Sequence, residues 1–326
     1  MTNLRHRAAR VLSALSGPLG DDDRVLTRRG TLIGVTISAT LAALAVAVLL
    51  IGFDRSADLP SPVTGDKVPA LTRPPLVRVA VAGDTGTGDG AEEATAEQMT
   101  EQAQANGGPY DALLLLGDLI YEDGEVDLVD DAVTDPFAAL LENGTTLVPV
   151  LGNHDYISGE QTQILGTLGR DTTWYATRIG QLRLVVLDTE RTDDPSQTAW
   201  LEDTLGTPQP PGTWTVVAMH KPAYSAGYHG SDEEVQRLWT PLFDKYDVPL
   251  VLAGHDHDYQ RSKAINGVTY VVSGAGAKLR PTGHEDFTAV SASTLHFVDM
   301  LVYSDRIVLR AIDQDGMLVD MFTLRR

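Results

Sequence analysis

The chain has 326 residues, no Cys and a formal charge of −20. Without Cys there can be no disulfides, thiolate nucleophiles or Cys-held zinc and iron–sulfur centres, so any metal must be held by nitrogen and oxygen. The acidic balance argues against a nucleic-acid partner, while 43% hydrophobic content leaves room for one large folded domain and a membrane segment.

The first 30 residues carry six Arg against three Asp. Arg28 and Arg29 stand directly before an uncharged run, Thr31–Phe53, of 23 residues. As a helix this run would be about 34 Å long, enough to cross a bilayer. Arg on its N-terminal side places that side in the cytoplasm, and no small-x-small cleavage site follows Phe53. The expectation is a cytoplasmic tail (1–30), a transmembrane signal-anchor (31–53) and an extracytoplasmic remainder held at the cell membrane by a single pass. Residues 27–32 also partly resemble a twin-arginine export signal, although Thr31 stands where that signal takes a bulky apolar residue. Pro60, Pro62, Pro69, Pro74 and Pro75 make 54–75 an extended linker.

From Leu76 to Arg326 the pattern is that of one domain. Apolar strand runs (Leu76–Ala82, Asp111–Leu116, Thr146–Leu151, Leu182–Leu187, Thr215–Met219, Val248–Ala253) alternate with helical segments (Ala91–Ala105, Val126–Glu142, Gln197–Leu205, Glu233–Tyr246). Four further strand-like runs, Val268–Ser273, Leu295–Tyr303, Ile307–Ile312 and Leu318–Leu324, have no helices between them. Alternation followed by a strand-rich end predicts an α/β fold with two sheets.

Polar residues able to bind a metal stand just beyond five of the strand runs: Asp84; Asp118 with Tyr121; Asn153 with His154; His220; and His255 with His257. In open α/β sheets sites form at that edge. Gly83, Gly117, Gly152 and Gly254 beside them allow sharp turns that bring the side chains to a shared point. A buried cluster of carboxylates and imidazoles without a cation would be costly. No nucleophile elbow or phosphate-binding Gly-rich loop with a following Lys-Ser/Thr is present. Gly274-Ala275-Gly276 reads as a tight turn under the site.

The order Gly83–Gly86, Gly117–Tyr121, Gly152–Asp155, His220, Gly254–His257 resembles the calcineurin-like metallophosphoesterases. Tyr121, three residues after Asp118, points within them to the purple acid phosphatases, of the small single-domain, tartrate-resistant type. Gln197 with Trp200-Leu201-Glu202 also looks like a segment common in the family. The resemblance implies two packed mixed β-sheets flanked by helices (an αββα sandwich). It also implies a binuclear metal centre in which Asp84, Asp118, Tyr121 and His257 hold Fe(III). Asp118, Asn153, His220 and His255 then hold a divalent ion, Zn, Mn or Fe. The implied activity is cleavage of phosphate monoesters by attack of a metal-bound hydroxide, with an acidic optimum. The alternatives are a phosphodiesterase or nucleotidase of the same superfamily, or a non-catalytic domain that binds phosphorylated ligands. His154 is the expected proton donor or phosphoryl clamp, with Asp155 orienting its ring, and His229 resembles a substrate-side His of the family. Tyr224 and Arg261 either line the pocket or serve structure. His6, His284 and His296 are expected to stay outside the chemistry.

Overall fold

The structure, a computed structural model, describes residues 65–326 apart from Gly107. The expected tail, anchor and first part of the linker lie outside the described residues. Among the described residues no helix is long and apolar enough to cross a membrane. The second part of the Pro-rich stretch lies against the C-terminal strands: Lys67 bridges to Met317, the Arg310 guanidinium donates to the Pro69 carbonyl, and Arg73 pairs with Asp305.

Two mixed sheets pack face to face. The first has the spatial order β13 (Leu318–Arg325), β12 (Arg306–Asp313), β11 (His296–Val302), β1 (Val77–Ala82), β2 (Ala112–Leu116), β3 (Thr146–Val150). Strands β1, β2 and β3 run parallel, and β11 to β13 extend the sheet antiparallel. The second sheet has the order β10 (Thr288–Ala292), β8 (Tyr259–Ser262), β9 (Thr269–Ser273), β7 (Leu250–Ala253), β6 (Trp214–Ala218), β5 (Leu182–Val186), β4 (Tyr175–Ile179). Its centre, β5-β6-β7-β9, is parallel.

The two-residue period of a strand sorts its side chains between layers. Val79, Val81, Leu114 and Leu116 enter the core between the sheets, where they meet Leu184, Val216 and Leu252. Ala80, Ala82, Leu113 and Leu115 face the other way, under α1 (Gly90–Ala105), which contributes Ala96, Met99 and Ala103. On the far face of the second sheet, Val185, Val217 and Val251 pack under α4 (Pro195–Gly206), α5 (Glu233–Leu238) and α6 (Thr240–Lys245). Strands covered on both faces are apolar at nearly every position, which is why these runs are legible. The result is the helix–sheet–sheet–helix order expected from the resemblance.

The sequence pattern departs from the structure in two places. Val126–Glu142, expected to be mostly helical, divides into a 3-10 turn (Val126–Leu128), a π turn (Asp130–Thr134) and the short α2 (Ala138–Leu141). Pro136 lacks the amide an unbroken helix would use there. The strands β4, β8 and β10 and the helix α3 (Gln161–Thr167) are not foreseen. β4 lies at a sheet edge and β8 is largely polar, so neither makes an apolar run.

His296, expected to stay outside the chemistry, ties β11 to the end of β9. It is fully buried; its Nδ1 faces the Thr294 carbonyl at 2.9 Å and its Nε2 faces Ser273 Oγ at 3.0 Å. Burial pushes its pKa down to about 4. An unfolded imidazole titrates near 6.5, so between about 6.5 and 4 the unfolded chain takes up a proton that the folded chain refuses. This contribution to stability is complete above 6.5 and is lost as pH falls. By pH 5 the loss is about 2 kcal/mol. Urea unfolding at pH 7 and pH 5 is expected to show a shallower acid loss in His296→Gln than in wild type; equal losses would refute this assignment.

Candidate metal centre

The C-terminal ends of parallel strands from both sheets meet at one point. Backbone hydrogen bonds lock the meeting: Gly83 N to Ser273 O at 2.8 Å joins β1 to β9, Asp84 N to Gly117 O at 2.9 Å joins β1 to β2, and Gly254 N to His220 O at 3.0 Å joins β7 to β6. The turns are tight. Gly117 has φ 94°, and a Cβ there would sit 2.4 Å from His220 Nδ1; a Cβ on Gly152 would meet Asp118 Oδ1 at 2.3 Å. Asp84, Asp118 and His255 themselves have φ of 57°, 51° and 72°. Three non-glycine residues in the left-handed region at one site is local strain maintained for a purpose.

The seven donors singled out in the sequence come together in two groups. In the first, the Tyr121 hydroxyl lies 3.1 Å from Asp84 Oδ1, 2.9 Å from Asp118 Oδ2 and 3.3 Å from His257 Nε2. One hydroxyl proton faces three acceptors. In the second, His220 donates from Nδ1 to the Leu116 carbonyl at 2.8 Å, which leaves a lone pair on Nε2. That nitrogen faces Asn153 Oδ1 at 3.1 Å and Asp118 Oδ1 at 3.4 Å, with His255 Nδ1 at 3.2 Å. Asp118 thus offers one oxygen to each group.

The electrostatics match a cation site. Burial, with the Asp118 charge adding to it, holds the Asp84 carboxyl well above its ordinary range; burial and then the two carboxylates push the Tyr121 phenol up. Burial pushes His257 down to about 4, and burial and then the neighbouring His220 push His255 down. A multivalent cation among these donors reverses each penalty, since it favours carboxylate, phenolate and neutral imidazole together. The residues present therefore fit two ions, a harder anionic donor set on one side and an imidazole-and-amide set on the other.

The three residues expected to act on the substrate fall differently. His154 lies at the edge: its backbone N–H donates to Asp118 Oδ1 at 2.9 Å, its ring stands 4.5 Å from the Tyr121 ring, and its Nδ1–H donates to the Glu122 carbonyl at 2.6 Å. Asp155 does not orient that ring. Its buried carboxylate accepts the N–H groups of Leu119, Ile120 and Gly152 at 2.9, 3.1 and 2.7 Å, so it ties the Asp118 turn to the Asn153 turn. The reason is local demand: amides stranded in a buried turn need an acceptor, and His154 already has Glu122 O. His229 stacks on His255 with ring centres 4.3 Å apart. Its loop is held by the Asp256 carboxylate, which accepts His229 N–H at 2.7 Å and Gly230 N–H at 3.2 Å. Asp256 points away from the metal donors and positions this loop.

Tyr224 packs on Tyr270 and Phe287, and Arg261 pairs with Asp320, so both serve structure. Three cations missed by the sequence reading border the site. Lys221 adjoins a shallow cavity of about 220 Å³ lined also by His229, Ser231, Asp232 and His255. Lys278 Nζ sits 3.5 Å from the centre of the Tyr121 ring, and Arg280 donates to His229 Nε2 at 3.0 Å. The only signal for the last two was their i, i+2 spacing just after Gly274–Gly276, a run that does lie beneath the donors: a Cβ on Gly274 would reach Asp84 Oδ2 at 2.8 Å.

This fold, with metal donors at five strand ends, defines a metallophosphoesterase domain, and the chain belongs to the calcineurin-like phosphoesterases, whose family model matches residues 77–259. It is similar to rabbit (Oryctolagus cuniculus) tartrate-resistant acid phosphatase type 5, 27% identical over an alignment of 248 residues that covers 64% of this chain and 75% of the relative. It is also similar to purple acid phosphatase 4 of Arabidopsis thaliana, 28% identical over 193 residues, 50% of this chain and 57% of the relative. In fold it is similar to a purple acid phosphatase from yellow lupin (Lupinus luteus) seeds, with TM-score 0.65 and 21% identity, across 82% of this chain and 55% of that one. GAP50, the anchor in the inner membrane complex of Plasmodium, has TM-score 0.66 and 15% identity, across 76% of this chain and 88% of that one. The last two likenesses concern the fold alone.

Proposed function

We propose that the domain is a phosphomonoesterase of the acid phosphatase type. The observation that carries the reading is the gathering of six N/O donors, from both sheets, around a seventh, the shared Asp118. Bound there, two metal ions supply Lewis-acid polarisation of the phosphoryl oxygens and an activated water. Asp84, Asp118, Tyr121 and His257 suit Fe(III); Asn153, His220 and His255, with Asp118, suit a divalent ion. Support for the monoesterase reading comes from the relatives named above and from the cationic border, which attracts small anions into an otherwise acidic protein.

The chain's own groups then divide the work. Glu122 O fixes the His154 tautomer, so in the imidazolium form the proton left to give is on Nε2, toward a leaving alkoxide. His229, steadied by Asp256 and Arg280, stands on the opposite side against His255. Comparing p-nitrophenyl phosphate with bis(p-nitrophenyl) phosphate tests the reading. Faster hydrolysis of the bis-ester would replace it with a phosphodiesterase, and no hydrolysis of either would favour a binding domain.

His154→Ala is expected to lower turnover roughly 10²–10⁴-fold with metal content unchanged; loss of metal would show a different role. Tyr121→Phe is expected to remove a visible phenolate-to-iron absorption band from the loaded protein, and an active wild type that contains no iron would refute the Fe(III) assignment. We further propose that the domain faces outward from the cell membrane on residues 31–53, because Arg28 and Arg29 precede that apolar run. A reporter fused after Arg326 that answers only from the cytoplasm would overturn this topology.

A further inference from the structure

We infer that Lys278 and Arg280 form a subsite for a second anionic group, a carboxylate or a phosphate, on the leaving-group side of the substrate; this rests on the phosphoesterase reading above. The two side chains are spaced i, i+2 on one extended segment, pinned where Arg280 N–H donates to the His257 carbonyl at 2.9 Å. From there both side chains border His257, whose charged form their own charges disfavour. Lys278 lies over the Tyr121 ring at 3.5 Å and pairs with Glu122 at 2.9 Å. Glu122 is also the residue whose carbonyl holds the His154 ring, the group assigned above to the leaving oxygen. Arg280 lies over the Tyr228 ring at 4.5 Å and donates to His229 at 3.0 Å. Among the described residues no carboxylate pairs with Arg280, although the chain carries 45 Asp and Glu against 25 Lys and Arg.

A guanidinium left without an acid partner at the edge of a phosphate site keeps its bidentate face for a ligand. Glu122, with its side chain 70% exposed, is a tethered anion already resting on Lys278. A substrate carboxylate or phosphate would take its place.

The test uses non-hydrolysable ligands, so that binding is read separately from turnover. Calorimetry on the metal-loaded full chain compares propylphosphonate with 3-phosphonopropionate, which differ by one carboxylate, and with ethane-1,2-bisphosphonate for the phosphate case. Wild type is expected to bind one or both of the doubly anionic ligands about tenfold or more tightly than propylphosphonate. Arg280→Ala and Lys278→Ala are expected to shrink that ratio toward one, and Glu122→Gln to raise it by freeing Lys278. Equal affinities in wild type, or an equal loss for all ligands in the variants, overturns the subsite. Gain for only one of the two assigns the subsite to that anion. Hydrolysis of p-nitrophenyl phosphate is measured alongside; its absence would remove the phosphomonoesterase reading while the binding ratio still decides the subsite.

Discussion

Asp118→Asn is expected to lower kcat/KM on p-nitrophenyl phosphate by on the order of 10³-fold or more, with a matching loss of bound metal. The carboxylate is the one group shared by the two donor sets: Oδ2 faces the Tyr121 hydroxyl at 2.9 Å and Oδ1 faces His220 Nε2 at 3.4 Å. An amide has a single acceptor oxygen and half the capacity to serve two cations. The fold should survive. Asp118 lies next to Asp84, whose carboxyl is already held high by burial and by the Asp118 charge. Removing one charge relieves that repulsion but weakens the bonds Asp118 accepts from His154 N–H and the Tyr121 hydroxyl, so in the presence of a chelator the variant should unfold near the wild-type urea concentration. Activity and metal content therefore fall together while metal-free stability stays close to that of wild type. A variant that keeps both metals and more than a tenth of the activity would refute the bridging role.

Asp299→Ala is expected to destabilise the domain by about 3–5 kcal/mol, seen as a melting temperature lower by roughly 10 °C. Asp299, on β11, is the single carboxylate between two buried guanidiniums. It accepts from Arg78 of β1 at 3.0 and 2.9 Å, and it pairs with Arg310 of β12. Arg78 continues to the Gln102 carbonyl of α1 at 3.0 Å and to Tyr110 at 3.1 Å. The group clamps β1, the strand that delivers Asp84, to its neighbours and to the helix above. Removing the acid strands two buried charges, which costs far more than the net worth of the pairs. The sharper form of the prediction is comparative: replacing Arg78, Asp299 and Arg310 together by apolar residues of similar volume should cost less than Asp299→Ala alone. If the single variant is the milder of the two, the desolvation argument fails.

Much of the centre was legible because each donor group follows an apolar strand and four of the five groups begin just after a glycine, and both signals are local. A strand buried on both faces announces itself as an unbroken apolar run, and a turn that admits no Cβ calls for glycine. Asp84, Asp118, Tyr121, Asn153, His255 and His257 could be picked out from those signals and their donor chemistry, and His220 from its strand and its donor chemistry. The weaker elements were hidden for the converse reason. The edge strand β4 and the polar strand β8 have no such runs, and the segment 126–142 carries helical composition around a proline that interrupts it.

By itself, the sequence determined which residues could bind metal, and that the strands bearing them would be central. Only the tertiary structure decided where the neighbouring polar groups turn. Asp155 follows His154 in the chain, yet its carboxylate goes to the Leu119, Ile120 and Gly152 amides, because buried amides of the folded turn need an acceptor. Asp256 stands between His255 and His257, yet its buried carboxylate turns away from the donors to hold the His229 backbone. Lys278 and Arg280 reach Tyr121 and His229 across separations of 157 and 51 residues. Such contacts arise when two sheets close on each other, and spacing along the chain holds no record of them.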